Sequence, residues 1–276
     1  MSEASRAHLF EYFPGNFVWS QSINAMIDMA NWGAASMGEI DQVGKRLKNK
    51  QGDNEAWFVE WQTMAEDQER KAEAAAAAGH QLTAGTYYLH AATYHLYAER
   101  FIPPSERKFE SYRKCMHCFE EGYTRRYPNI ERVEVPYENG QSLPALFMRA
   151  PGAGPKPTIV CFDGLDLCKE MSILFIGVEL ANRGYHTLAI DGPGQGEALR
   201  LRNIPSRYDY EVPAAAAPPA TPVPPPAPQA ALVPPPAPPG APLPTFDVVR
   251  VNPNGRAVIA GRAAPEAEVT VQLGND

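Results

Sequence analysis

A chain of 276 residues with 28 prolines and a formal net charge of −7 is long enough for one large domain or two ordinary ones. The acidic balance argues against a nucleic-acid binder held by a basic surface, and no apolar run reaches the ~18 residues needed to cross a bilayer. Four cysteines do not describe a disulfide framework at this length. Met1 to Pro14 has no basic stretch followed by an apolar one, so no signal peptide is read and a cytoplasmic location is expected.

Residues from about Gln21 to Arg126 read as four or five helices. Asp53 offers a capping carboxylate, and apolar residues then recur at Trp57, Phe58, Trp61, Met64 and Ala65, on one face of a helix. The alanines at 74–78 keep helix propensity high until Gly79 permits a left-handed stop. A second helix runs from Ala84 to Phe101 and ends at Pro103-Pro104. Ser105 offers a cap for the next, which runs toward Tyr123.

The pattern changes near Tyr127-Pro128. Arg132–Glu138 alternates like a strand with one wet side, Asn139-Gly140 signals a turn, and Leu143–Met148 offers the return strand. Thr158–Phe162 is a nearly continuous apolar run, as in a strand covered on both faces. A helix with Met171, Leu174, Phe175, Val178 and Ala181 on one face follows, ending near Gly184. Tyr185–Ile190 then closes a strand–helix–strand unit. The expected class is α/β.

Fifteen prolines lie between Pro213 and Pro244, and ten of the other seventeen residues there are alanine. This composition favours extended polyproline II and reads as a disordered linker. Beyond it, Phe246–Val251, Arg256–Ala260 and Glu268–Leu273 alternate like short strands. Four segments result: helical and cap-like at 1–130, α/β at 131–212, linker at 213–244 and an incomplete β segment at 245–276.

Several separated motifs carry a resemblance. Phe162-Asp-Gly-Leu-Asp166, Lys169-Glu170, Leu180-Ala-Asn-Arg-Gly184 and Asp191-Gly-Pro-Gly-Gln-Gly-Glu197 are similar to a group of α/β-hydrolases with a helical N-terminal region, the 2,6-dihydropseudooxynicotine hydrolase-like group. Gly38-Glu-Ile-Asp41, Ala56-Trp-Phe58 and Tyr87-Tyr-Leu-His-Ala-Ala92 resemble that helical region. The similarity covers residues ~8 to 212 and implies the first half of a hydrolase sheet, its strands one to four. Such enzymes place a nucleophile in G-x-S-x-G after strand five, and that motif occurs nowhere in this sequence. The resemblance therefore implies a hydrolase of esters or activated C–C bonds, truncated before its nucleophile, acid and histidine, and inactive as it stands. No catalytic residue is assigned. The tail weakly resembles the start of a bacterial Ig-like domain of LysM proteins, which makes the chain look chimeric.

By the same resemblance, the loop of Gly164, Leu165 and Asp166 is the oxyanion-loop candidate, with the Leu165 backbone as donor and Gly164 allowing close approach. The competing reading is an ordinary strand-to-helix turn. Gly192-x-Gly194-x-Gly196 invites a dinucleotide reading, but Glu197 stands where the third glycine belongs and would repel a pyrophosphate; no cofactor is expected. Cys115 and Cys118 have C-x-x-C spacing with no second pair nearby, so they read as a packed helix face and no metal ligand is assigned. Glu170 reads as a surface helix charge or a partner of the helix dipole. The aromatic residues Phe13, Phe17, Trp19, Trp32, Trp57, Trp61, Tyr87 and Tyr88 read as helix packing before pocket lining.

The partner expected is a small-molecule substrate in a full-length relative, with neither nucleic acid nor membrane. The family's strand order, 1-2-4-3-5, would leave Thr158–Phe162 at an edge open to self-association. Two alternatives stand beside the hydrolase: a non-catalytic fusion or binding protein that uses the Pro-rich arm and β segment, and another kind of enzyme built on the Gly-rich turn.

Overall fold

Helices come first, as the periodicity predicts, in the computed structural model, which describes residues 10–164, 166–216, 245–251 and 257–262. They are α1 (Phe17–Ala30), α2 (Met37–Leu47), α3 (Asn54–Ala77), α4 (Gln81–Ala98) and α5 (Glu106–Arg126). Asn16 caps α1 by accepting from Trp19 N at 3.1 Å. Asp53 caps α3 through Glu55 N and Ala56 N at 3.0 and 2.9 Å, a contribution of typically ~1 kcal/mol. Ser105 occupies the cap position of α5 but makes no capping bond; its hydroxyl donates to the Pro103 carbonyl instead.

The aromatic residues pack mainly on one another. Phe13, Trp19, Trp57 and Trp61 are buried and form a chain of tilted and edge contacts, with centroids 5.3 Å apart for Phe13–Trp19, 4.8 Å for Trp19–Trp57 and 5.6 Å for Trp57–Trp61. Trp57 Nε1 donates to the Tyr97 carbonyl at 2.7 Å, which satisfies its polar edge inside the core. Tyr88 is buried as well, whereas Phe17 is largely exposed.

The sheet contains β1 (Ile130–Pro136), β2 (Ser142–Met148), β3 (Thr158–Phe162) and β4 (His186–Ile190) in the order β1-β2-β4-β3. β1 and β2 form an antiparallel hairpin whose turn uses left-handed backbone at Asn139 and Gly140, the residue types that tolerate it. β2 pairs antiparallel with β4, and β3 pairs parallel with β4 from Thr158↔His186 to Phe162↔Ile190. Between β3 and β4 runs α6 (169–182), a helix interrupted by a π-helical stretch at Ile173–Gly177. α7 (Gly196–Arg200) and α8 (Glu211–Ala216) follow.

One apolar core runs from the helices to one face of the sheet, joining Trp57 and Tyr94 to Ile130, Leu146, Met148, Met171 and Leu174. A smaller core covers the other face with Val135, Leu143, Leu188, Ile190, Ala198 and Ile204. The boundary expected at residues 130/131 is therefore not a boundary of packing. Glu99, fully buried, adds an ionic tie across it: it binds Arg200 of α7 at 2.7 Å and Lys108 of α5 at 2.5 Å. β3 has β4 on one side, and among the described residues no strand on the other.

Residues 213–216 are helical rather than extended, so α8 reaches into the segment whose composition reads as linker. Pro213 is tolerated in the first turn, where its missing N–H has no partner to lose, and Ala216 packs against the second core. The rest of that segment, 217–244, lies outside the described residues. The chain divides into two units at Val223/Pro224. In the second, β5 (Thr245–Val251) and β6 (Ala257–Arg262) pair antiparallel; the strand expected at Glu268–Leu273 lies outside the described residues.

Candidate functional site

In a sheet with parallel strands and crossover helices, ligands bind beyond the carboxyl ends of the strands. Here that position is formed by the loops after β3 and β4, and a single carboxylate organises both. Asp191, at the end of β4, accepts from Lys169 N at 2.7 Å and from Glu197 N at 2.8 Å. It thereby satisfies an orphan backbone donor at the start of α6 and another at the start of α7. Gly196 is obligatory in this arrangement: its φ is +34°, and a Cβ there would collide with the Asp191 carboxylate.

The Lys169 ammonium lies inside a ring of acids, 2.6 Å from Glu170, 3.0 Å from Asp191 and 3.0 Å from Glu197. Lys169 and Asp191 are fully buried, and Glu170 and Glu197 nearly so. Burial disfavours the ammonium form, yet Asp191, Glu170 and Glu197 outweigh it and raise the Lys169 pKa. The excess of negative charge is met from the other side by Arg132 and Arg202, 2.7 and 2.9 Å from Glu197. Burial works to raise the Glu197 pKa, but the Arg132 hydrogen bond and the Lys169 charge overcome it and hold it at about 2. Glu170 is thus an interior ion-pair partner, not the surface helix charge its sequence position suggests. Glu197 is likewise an interior ion-pair partner, held by Lys169, Arg132 and Arg202.

Gln195 stitches the two loops together. Its Oε1 accepts from Gly192 N at 2.8 Å, and its Nε2 donates to the Asp163 carbonyl. Asp163 directly follows β3 and shares a hydrogen bond with the Ser172 hydroxyl. Burial and the neighbouring Asp191 push the Asp163 carboxyl up to about 6. Neither Gln195 nor Asp163 was singled out from the sequence. Gln195 sits between two glycines at a place to which no motif assigns a residue type, and the Asp163 shift depends on a neighbour 28 residues later in the sequence.

Of the oxyanion-loop candidates, Gly164 faces open space: nothing lies within 4 Å of where a Cβ would be. Its carbonyl accepts from Leu167 N at 3.2 Å, closing the turn. Leu165 lies outside the described residues. Asp166 points outward and pairs with Arg100 at 3.2 Å, while Arg100 also donates to the Asp166 carbonyl. A carboxylate only accepts, so the Asp166 side chain is a tether to the helical region rather than a donor toward an anion.

Beside this cluster is a cavity of about 340 Å³, bordered by Arg113, His117 and Tyr123 of α5 and by Arg132, Glu170 and Glu197. No pairing around it resembles nucleophile and base. Among the described residues, no hydrogen bond joins a histidine ring to a serine or cysteine side chain. His90 binds Glu39 at 2.9 Å, His95 binds Gln62 at 3.2 Å, and His186 accepts from Ala150 N at 2.9 Å. Cys115, Cys118 and Cys168 are buried, and burial pushes their thiols up, away from the reactive thiolate.

Comparison with known proteins agrees with this architecture. The family model "Esterase FrsA-like" matches residues 40–204. The chain is 32% identical over 186 residues to the 2,6-dihydropseudooxynicotine hydrolase of Paenarthrobacter nicotinovorans, covering 66% of this chain and 49% of that one. It is 29% identical over 212 residues to the alpha/beta hydrolase xenA of Xenoacremonium sinensis, covering 75% and 49%. A crystal structure of the 2,6-dihydroxy-pseudo-oxynicotine hydrolase superposes with a TM-score of 0.56 at 28% identity, covering 68% of this chain and 51% of that one. The chain spans about half the length of the curated relatives it matches. With the helical region, the β1-β2-β4-β3 sheet and a family match over more than half of its residues, the chain belongs to the FrsA-like esterase family of α/β-hydrolases.

Proposed function

We propose that residues 10–216 supply the helical region and the oxyanion side of an α/β-hydrolase site for an ester or an activated C–C bond, and that these 276 residues do not carry out acyl transfer alone. The observation that carries this is Gly194. It is the central residue of the only stretch with glycines at elbow spacing, Gly192 to Gly196, and a side chain does not fit there. A Cβ on Gly194 would lie 2.8 Å from Ser206 Cα and 3.0 Å from Ser206 N, so this turn, which follows β4 rather than a fifth strand, does not stand in for the elbow. The family resemblance puts a backbone donor to a developing oxyanion in the loop after β3, and such donors are worth ~10²–10³ in rate when a nucleophile is present. Without one they accelerate nothing.

The test is the release of a chromogenic alcohol from a short-chain acyl ester by the purified chain. No burst and no turnover above a heat-denatured control are expected. A stoichiometric burst would show that a nucleophile exists in these residues and would refute the proposal.

A further inference from the structure

Away from the sheet, three helices of the helical region bring together side chains that the sequence keeps apart. Glu69 of α3, His95 of α4 and Cys118 of α5 place a carboxylate oxygen, an imidazole nitrogen and a thiol sulfur within 4.8 Å of one another. His95 and Cys118 are fully buried, and Glu69 retains about 22% exposure of its side chain.

The imidazole orientation is set from behind. Gln62 Nε2 donates to Glu66 at 3.2 Å, which fixes the amide so that its Oε1 faces the ring. That oxygen lies 3.2 Å from His95 Nδ1 and also accepts from Ser111 Oγ at 3.1 Å. An acceptor opposite Nδ1 places the proton on that nitrogen and leaves the Nε2 lone pair pointing toward Glu69 and Cys118. His95 Nε2 makes no hydrogen bond although it is buried. A bare buried acceptor facing a carboxylate and a thiol is costly unless a proton or a metal cation lies between them.

We infer that Glu69, His95 and Cys118 form a binding site for a divalent transition-metal ion of zinc type. The ligand set mixes thiolate, imidazole and carboxylate, the combination Zn²⁺ takes. Tetrahedral Zn²⁺ with ordinary bond lengths holds neighbouring nitrogen and oxygen ligands about 3.4 Å apart, and His95 Nε2 lies 3.5 Å from Glu69 Oε2. Gln62 is the outer partner that a metal-bound histidine normally has. Water takes the fourth position and reaches it along the partly exposed Glu69. On binding, the Cys118 thiol releases its proton to solvent and no electron is transferred. Besides His95 itself, Lys114, paired with Glu66 at 3.2 Å, and His117 are the cationic or titratable groups whose fields reach Glu69. Cys115, the other cysteine of the C-x-x-C spacing, is not a member of the set. The ion would pin α3, α4 and α5 to one another within the helical region, away from the loops after β3 and β4.

The competing account is an imidazolium–carboxylate pair between His95 and Glu69 with no metal. The two are separated by titrating the full chain, freed of metal with chelator, with Zn²⁺ and with Co²⁺. The site predicts one ion per chain and a Co²⁺ spectrum with thiolate charge-transfer and tetrahedral bands. Glu69→Gln and Cys118→Ser should each weaken binding by more than ~10-fold, and Gln62→Ala by ~10–100-fold, while Cys115→Ser and Cys161→Ser leave it unchanged. Glu69→Gln changes a partly exposed residue, so the test survives if the Cys118 variant does not fold. No saturable binding by the wild-type chain, or binding that Glu69→Gln leaves intact, would overturn the inference.

Discussion

Asp191 shows how much one buried side chain is asked to do. It caps α6 and α7 and neutralises Lys169 at the same time, so the loops after β3 and β4 are held by the same atoms. Removing the cation from this cluster leaves three carboxylates to share a low-dielectric space with Arg132 and Arg202 alone. Lys169→Met is therefore expected to destabilise the fold by about 3–5 kcal/mol, the range for breaking a buried pair from one side. Urea denaturation would measure it, and a cost below about 1 kcal/mol would mean that the cluster is far better hydrated than its burial implies. Asp163 behaves in the opposite sense from a salt-bridged acid. Its pKa is raised from 3.8 to about 6, so the folded state holds its proton more tightly than the unfolded chain does. The stability this contributes is complete below about pH 4 and is lost as pH rises through 6. In Asp163→Asn, stability relative to wild type should rise between pH 4 and 6 and level off above. A difference that does not vary with pH would show that Asp163 titrates normally.

At the scale of elements, β3 is the exposed link. Among the described residues no strand pairs with its outer edge, and Ile159 is 38% exposed. Flat apolar edges recruit other strands, and a charge on them is the usual safeguard. Concentration-dependent association of the chain is expected in sedimentation, and Ile159→Lys should shift it toward monomer. A wild-type chain that stays monomeric across the same range would contradict this. The elements themselves were largely legible, because α3 announces itself by Asp53 and its apolar spacing, and the hairpin by Asn139-Gly140. The capping role expected of Ser105 was not observed, since a hydroxyl at that position has two acceptors to choose from and Pro103 O is the nearer in sequence. The helical turn at Glu211–Ala216 was hidden because a proline in a first turn and a proline in a linker look alike in composition.

At the scale of the molecule, motif spacing was enough to give the α/β class and the hydrolase resemblance, since the loops after β3 and β4 carry those motifs. What spacing could not give was burial. Lys169, Glu170 and Glu197 look like ordinary surface charges until Asp191 and the two arginines close around them, and Cys118 looks like a packed thiol until α3 and α4 bring Glu69 and His95 beside it. Such long-range juxtapositions depend on how helices pack, which local pattern does not encode. The family model and the relatives support a hydrolase framework, while no G-x-S-x-G occurs in the 276 residues and the glycine turn after β4 is too crowded to stand in for one. The most direct test of that account is intact-mass analysis of the full chain after incubation with a reactive alkyl fluorophosphonate, which labels activated serine nucleophiles covalently. The unmodified mass is predicted; a single stoichiometric phosphonyl adduct would contradict it and show that these residues contain a working nucleophile.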